Sequence, residues 1–396
     1  MTPNPQTYLD YAAATPLDPT VYAAMRPYLE TAYANPSSVY TVARTTRAAI
    51  ESSRATVADL IGCKPTEIVF TSGGSEGDNL AIAGVLRAHP KSHWVTTNIE
   101  HDAVLEQIKP LEREGHACTV VPVTSAGVVE VGAIEVAITD HTVLVSVMLA
   151  NNEIGTVQPV GEISRAVRQI RLDRTRRGIA TPLFLHTDAV QAANYLSLHV
   201  DRLGIDLMSL AGSKIYGPKG SGALYVRTGT VMDPIIYGGG QERGRRSGTE
   251  NVAAIVGFAS ALALVQSDRT SEGRWLTELR DDLFKQLKIA IPSLILNGDP
   301  VRRLPNNLNF TVPGAEGEGL VLYLDQAGIL ASTGSACSSG DLDPSHVLLA
   351  LGRTREQASQ SLRLTFGRGT DAASTARVAA ELPKIVARLR ELGRVQ

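Results

Sequence analysis

The sequence predicts an α/β protein: a mostly parallel sheet with helices on both faces, joined to a smaller α+β domain. Two observations predict it. Between about residues 43 and 261, short apolar runs alternate with amphipathic segments of helical length. Strands buried on both faces read as continuous apolar runs, and the helices between them supply the crossovers that parallel neighbours need. Beyond 261 the alternation stops, and helical stretches surround one strand pattern.

The elements follow in order. Ile50, Val57, Leu60 and Ile61 share one helical face, which Gly62 ends. Residues 68–71 read as a short buried strand, 72–76 as a turn and helix start, and 80–86 as the body of that helix. Further strands are expected at 93–97, 118–123, 144–148, 183–187, 206–210 and 223–226, with helices at 103–114 and 160–174. In the smaller domain a helix is expected at 276–291, a strand at 307–312 and a helix at 317–328. Val378, Leu382, Ile385, Val386 and Leu389 form the apolar face of a last helix. The large domain is assigned to 15–261, and the small one to 1–14 with 262–396.

Composition removes several classes of function. The 396 residues carry 38 Lys and Arg against 40 Asp and Glu, a formal net charge of −2. That balance gives no electrostatic pull towards nucleic acid or an anionic membrane. Hydrophobic residues at 43% and charged ones at 20% are ordinary globular usage, which excludes a disordered chain. No run approaches the ~18 consecutive apolar residues of a membrane span, and residues 1–5 show no secretory signal. Cys63, Cys118 and Cys337, without a Cys-x-x-Cys pair, make neither a disulfide framework nor a zinc site. A soluble cytoplasmic protein is expected.

Candidate chemistry begins at residues 209–220, where a strand ends in small residues and then presents Lys214 among glycines. Gly212 and Gly217 imitate a phosphate loop, but Pro218 stands where that loop needs its lysine. A Schiff-base lysine survives, because such a group needs a small-residue pocket that lowers its pKa. It calls for an acid to hold a pyridinium nitrogen. Asp188 offers one at the carboxyl end of an apolar strand, although a helix cap explains an aspartate there equally well. It also calls for an anion site. Ser72-Gly73-Gly74-Ser75 supplies backbone N–H groups at a helix start.

His101, just past a strand, could stack on a cofactor ring; alone, a structural histidine is the commoner case. The polar run 151–155 follows another strand. Cys337, in a Gly/Ser-rich stretch, should be exposed and could act as a nucleophile, whereas Cys63 and Cys118 adjoin apolar runs and read as core.

Together these motifs resemble the cysteine desulfurases, the IscS/NifS-like branch of the class V aminotransferase superfamily among fold-type I pyridoxal-phosphate enzymes. The resemblance runs through residues 8–16, 71–79, 100–101, 151–155, Asp188 with Gln191, 214–220, 238–249, 334–337 and 362–368. It implies a seven-stranded sheet and a homodimer. It implies that Lys214 holds pyridoxal 5'-phosphate, Asp188 pairs with the ring nitrogen, and His101 stacks on the ring. Gln191 and Asn152 would contact the phenolic oxygen. Gly74, Ser75 and Ser213 would hold the phosphate, with Thr249 from the neighbouring subunit.

Arg363 would clamp the carboxylate of L-cysteine, supported by Asn35 and Asn152. Cys337, on a loop at about 331–345, would take the sulfur as a persulfide and pass it to an acceptor protein. That acceptor would serve iron–sulfur cluster assembly, tRNA thiolation or DNA phosphorothioation. Neither a membrane nor direct nucleic-acid contact is implied. Alternatives are a class V aminotransferase, a selenocysteine lyase or a non-catalytic scaffold. Against the family pattern, Ala211 and Ser213 replace a serine and a histidine before the lysine, Tyr40 stands where relatives often carry histidine, and Gln241 replaces another histidine.

Overall fold

The computed structural model describes residues 6–334 and 344–393. Its strands are β1 (Thr7–Tyr8), β2 (Ile68–Thr71), β3 (His93–Thr97), β4 (Ala117–Val121), β5 (Thr142–Ser146) and β6 (Phe184–Asp188). They continue as β7 (Leu207–Ala211), β8 (Gly222–Val226), β9 (Ile295–Leu296), β10 (Asn307–Thr311), β11 (Ile329–Leu330) and β12 (Ser361–Thr365). The main helices in the first half are α1 (Pro19–Glu30), α2 (Thr41–Ile61), α3 (Gly74–Arg87), α4 (Asp102–Leu105), α5 (Ile108–Arg113), α6 (Val131–Ala137), α7 (Val160–Arg177) and α8 (Val200–Leu203). Then come α9 (Val252–Ala290), α10 (Gly317–Gln326), α11 (His346–Ala350), α12 (Arg355–Ser359) and α13 (Ala372–Gly393).

Seven strands form the central sheet in the order β2-β8-β7-β6-β5-β3-β4. All run the same way except β8, which is antiparallel to both β2 and β7. The alternation of side chains along a strand gives each face its own core. Ile68 and Phe70 of β2 face one core together with Val95 and Leu185. Val69 faces the other with Leu80, Trp94, Leu144 and Leu207, under α3. The sheet is therefore covered on both sides, as the continuous apolar runs require.

A second sheet, β12-β10-β9, is antiparallel. The N-terminal segment joins this region: β1 pairs with β11, and Asp10 bridges to Thr365. The helix expected at 276–291 is in fact the latter part of α9, which runs unbroken over 39 residues. The expected boundary at 261 thus falls inside a continuous helix. By length and hydropathy α9 would suit a membrane span. Instead, Val252, Ile255, Phe258, Leu262 and Val265 are buried, where α9 packs on α1 and α2.

An ion pair ties α2 to the edge strand β2. Arg54 of α2 makes a bidentate contact with Glu242, both distances 2.8 Å, and donates to the Ile68 carbonyl. Glu242 also accepts from the Phe70 N–H. Charge and the edge strand β2 are satisfied together, which a buried pair needs if it is to hold; Arg54 Nε makes no hydrogen bond and lies 3.4 Å from Glu51 Oε2.

Candidate active site

Open α/β sheets bind ligands beyond the carboxyl ends of their strands. Here those ends converge on one cavity of about 500 Å³. Its walls include Ser72–Ser75 after β2, His101 after β3, Met148 and Asn152 after β5, Asp188 and Gln191 at the end of β6, and Ser213 and Lys214 after β7. Gly334 and Arg363 close it from the second sheet's side.

The glycine turn is built for close approach. Gly73 has φ of +154°, and no side chain caps the start of α3. The helix N-terminus thus faces the cavity as a site for phosphate, and the one first-turn acid, Glu76, is turned to the Ser72 N–H and to Arg246 at 2.8 and 2.9 Å. A Cβ on Gly74 would sit 2.7 Å from Val190 Cγ2, and one on Gly222 only 2.4 Å from the Leu210 carbonyl. Both positions need glycine. Ala211 and Ser213 also line the cavity, so the position that a serine holds in the family pattern carries only a methyl group here.

Lys214 follows β7 in a short 3-10 turn. Asn194 donates to the Lys214 carbonyl at 2.6 Å, the Thr15 N–H to the Ser213 carbonyl at 3.0 Å, and Lys214 Nζ to the Ala13 carbonyl. Asp188 is buried, and its Oδ1 accepts from the Val190 N–H at 2.8 Å. The cavity position is thus realised, whereas no helix starts at Asp188: the Val190 bond closes a turn, and the next helix is α8. Likewise the Ala103 N–H donates to His101 Nδ1 at 3.0 Å. That bond makes Nδ1 the acceptor, so a neutral ring carries its proton on Nε2. Gln191 Nε2 donates to the Ala12 carbonyl at 2.9 Å.

Three buried carboxyls cluster at the cavity: Asp78 and Asp188 line it, and Glu100 lies behind them. Burial pushes all three up, to about 8 for Glu100, and the Asp188 charge adds to the rise of the other two. His186, between Ser146 and Ser209 hydroxyls, is pushed down to about 3 by burial and stays neutral. It therefore offers these acids no positive charge. A cation held against Asp188 from the cavity side would relieve their repulsion, and a protonated pyridine ring is such a cation. With the anion cradle at α3 and an amine at Lys214, the residues present fit pyridoxal 5'-phosphate.

Glu100 also yields a sign for pH. A carboxyl raised to about 8 in the fold binds its proton more tightly folded than unfolded. Its contribution is complete below the unfolded value and is lost as pH rises through the folded one, so stability falls between ~4.3 and about 8. Glu100→Gln should flatten that slope in denaturation curves collected across this window.

Arg363 enters as a charge in the buried strand β12. Nη2 pairs with Asp10 at 2.8 Å, and Nη1 donates to the carbonyls of Asn152 and Gly334 at 3.1 and 3.3 Å. Nε is buried without a hydrogen-bond partner. Asp10 carries no role in the sequence reading. A charge between Leu362 and Leu364 is the signal that a counter-ion had to exist.

Two expected residues lie elsewhere. Asn35 is exposed, its Oδ1 accepting from the Ser37 N–H at 2.9 Å, and Thr249 is exposed too. Neither lines this chain's own cavity. Cys337 lies outside the described residues. Cys63 and Cys118, expected in the core, are half-buried at its margin.

The class of protein is set by comparison as well as by this geometry. Residues 7–377 match the family model for class-V aminotransferases, and the chain belongs to that family. Within it, the chain belongs with the cysteine desulfurases. It is 44% identical over 393 residues to cysteine desulfurase IscS of Clostridium botulinum, covering 98% of this chain and 96% of the relative. A solved NifS-like protein superposes with TM-score 0.88 at 32% identity, covering 97% of this chain and 100% of that one. A structure described as SspA in complex with cysteine gives TM-score 0.77 at 34% identity, covering 91% and 98%.

Proposed function

We propose that this protein is a pyridoxal-5'-phosphate-dependent cysteine desulfurase that turns L-cysteine into L-alanine and leaves the sulfur as a persulfide on Cys337. The observation that carries this reading is one cavity with an uncapped helix start, the Asp188 carboxylate, Lys214 and the Arg363 guanidinium on its walls. The cysteine bound in a structural relative fits the same chemistry.

Bound there, pyridoxal 5'-phosphate supplies an electron sink for the pair left when a proton leaves the amino acid's α-carbon. The chain's own groups do the rest. Gly74, Ser75 and Ser213 hold the phosphate, with Thr249 added from the second subunit of a homodimer. Asp188 keeps the proton on the ring nitrogen, His101 stacks on the ring, and Gln191 and Asn152 hold its oxygen side. Arg363 takes the substrate carboxylate, its Nε being the donor still unused. Asn35 supports that end in this reading, and its exposed place is compatible with reaching the second subunit's site. Lys214 Nζ removes the α-proton and returns a proton to the product. The Cys337 thiolate attacks the substrate sulfur; the S–S bond forms as the C–S bond breaks, and that electron pair passes to the carbon side, where protonation completes alanine.

An acceptor protein then receives the persulfide sulfur, in iron–sulfur assembly, tRNA thiolation or DNA phosphorothioation. A reducing cytoplasmic setting suits this use of a free thiol. Purified protein should be yellow, and with L-cysteine and a thiol reductant should release alanine and sulfide in equal amounts. Alanine without sulfide, or a transamination product, would sink the reading.

A further inference from the structure

β2 is an edge strand of the central sheet, so one side of its backbone has no strand to pair with. Such an edge leaves N–H and C=O groups that something else must satisfy. Side chains meet this need at three alternate residues. The Ile68 carbonyl accepts from Arg54 at 2.9 Å, and the Phe70 N–H donates to Glu242 at 2.9 Å. The Ser72 N–H, already in the glycine turn, donates to Glu76 Oε2 at 2.8 Å. Each of these carboxylates is gripped by an arginine, Glu242 by Arg54 and Glu76 by Arg246.

The second pair reaches the cavity. Glu76 lines it from the first turn of α3. Arg246 holds the carboxylate side-on, with Nε to Oε1 at 2.9 Å and Nη2 to Oε2 at 3.3 Å. Burial raises the Glu76 carboxyl, but Arg246 and Ser72 outweigh it and hold the group below its ordinary value, so it is ionised at neutral pH. An ionised acid at a helix start opposes any other anion bound there. An acid at this third helical position commonly folds back onto the N–H of the capping residue. Glu76 instead reaches past Gly73 to Ser72. Arg246 meets it from a segment that closes on itself: Ser247 Oγ donates to the Gly239 carbonyl at 2.7 Å, and the Gly248 N–H to Gln241 Oε1 at 3.1 Å.

We propose that Arg246 is a positioning residue for the cofactor's phosphate: it holds the Glu76 carboxylate on the Ser72 N–H and cancels its charge beside the start of α3. The proposal rests on the reading of this cavity as a pyridoxal-phosphate site. It carries a sign that a plain structural bridge lacks. A bridge that only ties two segments is lost equally when either partner goes, or both. A shield is different: losing Arg246 alone is the worst case, and removing the Glu76 charge as well relieves it.

The test measures binding of pyridoxal 5'-phosphate by absorbance titration, on apoenzyme prepared from the holoenzyme. Arg246→Ala should weaken binding about 10-fold, the scale of an uncompensated charge at a partly buried helix end. Arg246→Gln, which keeps length without charge, should lose as much and serves equally if Arg246→Ala does not fold. Arg246→Lys should recover part of the loss. Glu76→Gln keeps an acceptor for the Ser72 N–H and should bind close to the parent. The double variant Glu76→Gln/Arg246→Ala should recover most of what Arg246→Ala loses. Two further ligands place the effect at the phosphate. Inorganic phosphate should compete less well in Arg246→Ala, whereas pyridoxal, which has no phosphate, should bind it as it binds the parent.

Equal losses in Arg246→Ala, Glu76→Gln and the double variant would overturn the proposal. So would an equal loss for pyridoxal, which would mark a merely structural role. A parent apoenzyme that takes up no pyridoxal 5'-phosphate would instead overturn the desulfurase reading, a distinct result.

Discussion

Replacing Lys214 with alanine is expected to lower turnover of L-cysteine by about 10⁴-fold or more, at the upper end of what a positioned acid–base group contributes. On the proposed reading two functions are lost at once, the covalent hold on the cofactor and the base at the α-carbon. The geometry argues that no other amine substitutes. Asn194, Thr15 and Ala13 fix the Lys214 backbone and amine at the end of β7. Lys219, the next lysine in the same motif, is exposed and lines none of the cavity. Lys219→Ala should therefore turn over like the parent. Borohydride should fix the cofactor covalently in the parent and in Lys219→Ala, but not in Lys214→Ala. A Lys214→Ala enzyme that keeps a tenth of parental turnover would show that the α-proton leaves by another base.

The parts of the fold legible in the sequence were those set by local pattern. β2–β8 and β10 fall within about two residues of the expected runs, because strands covered on both faces read as mostly apolar runs. β1, β9, β11 and β12 were not expected: three are two residues long and β12 is interrupted by Arg363. The helix expected at 103–114 divides into α4 and α5 for an equally local reason. Pro110 lacks an N–H and is tolerated only near a helix start, so the helix begins again at Ile108. α9 was not legible, since its first part is apolar around its circumference and periodicity marks only the later part.

The site divides the same way. Lys214, Asp188, His101 and the Gly73–Gly74 turn each follow the carboxyl end of an apolar run, where the sheet's geometry brings them together. Asp10 and Arg246 depend instead on contacts across the chain: Asp10 meets Arg363 from 353 residues away and Arg246 meets Glu76 from 170. No spacing rule connects such pairs. Asp78 looks like any helix residue until α3 packs it against His186 and Asp188.

The second large effect belongs to sulfur transfer. Cys337→Ser should abolish sulfide release, to below about 1% of the parent, while the enzyme stays yellow and still exchanges the α-hydrogen of alanine. Serine at neutral pH is a hydroxyl, and sulfur transfer needs a thiolate nucleophile. The other thiols do not replace it. Burial pushes Cys63 and Cys118 each up to about 12. At pH 7 a thiol with that value is ionised to only about one part in 10⁵, and both sit at core margins away from the cavity walls. In the parent, a peptide containing Cys337 should gain the mass of one sulfur atom after a brief exposure to L-cysteine, and reductant should remove it. If Cys337→Ser released sulfide at the parental rate, sulfur would be leaving without a protein thiol, and the persulfide route would be wrong.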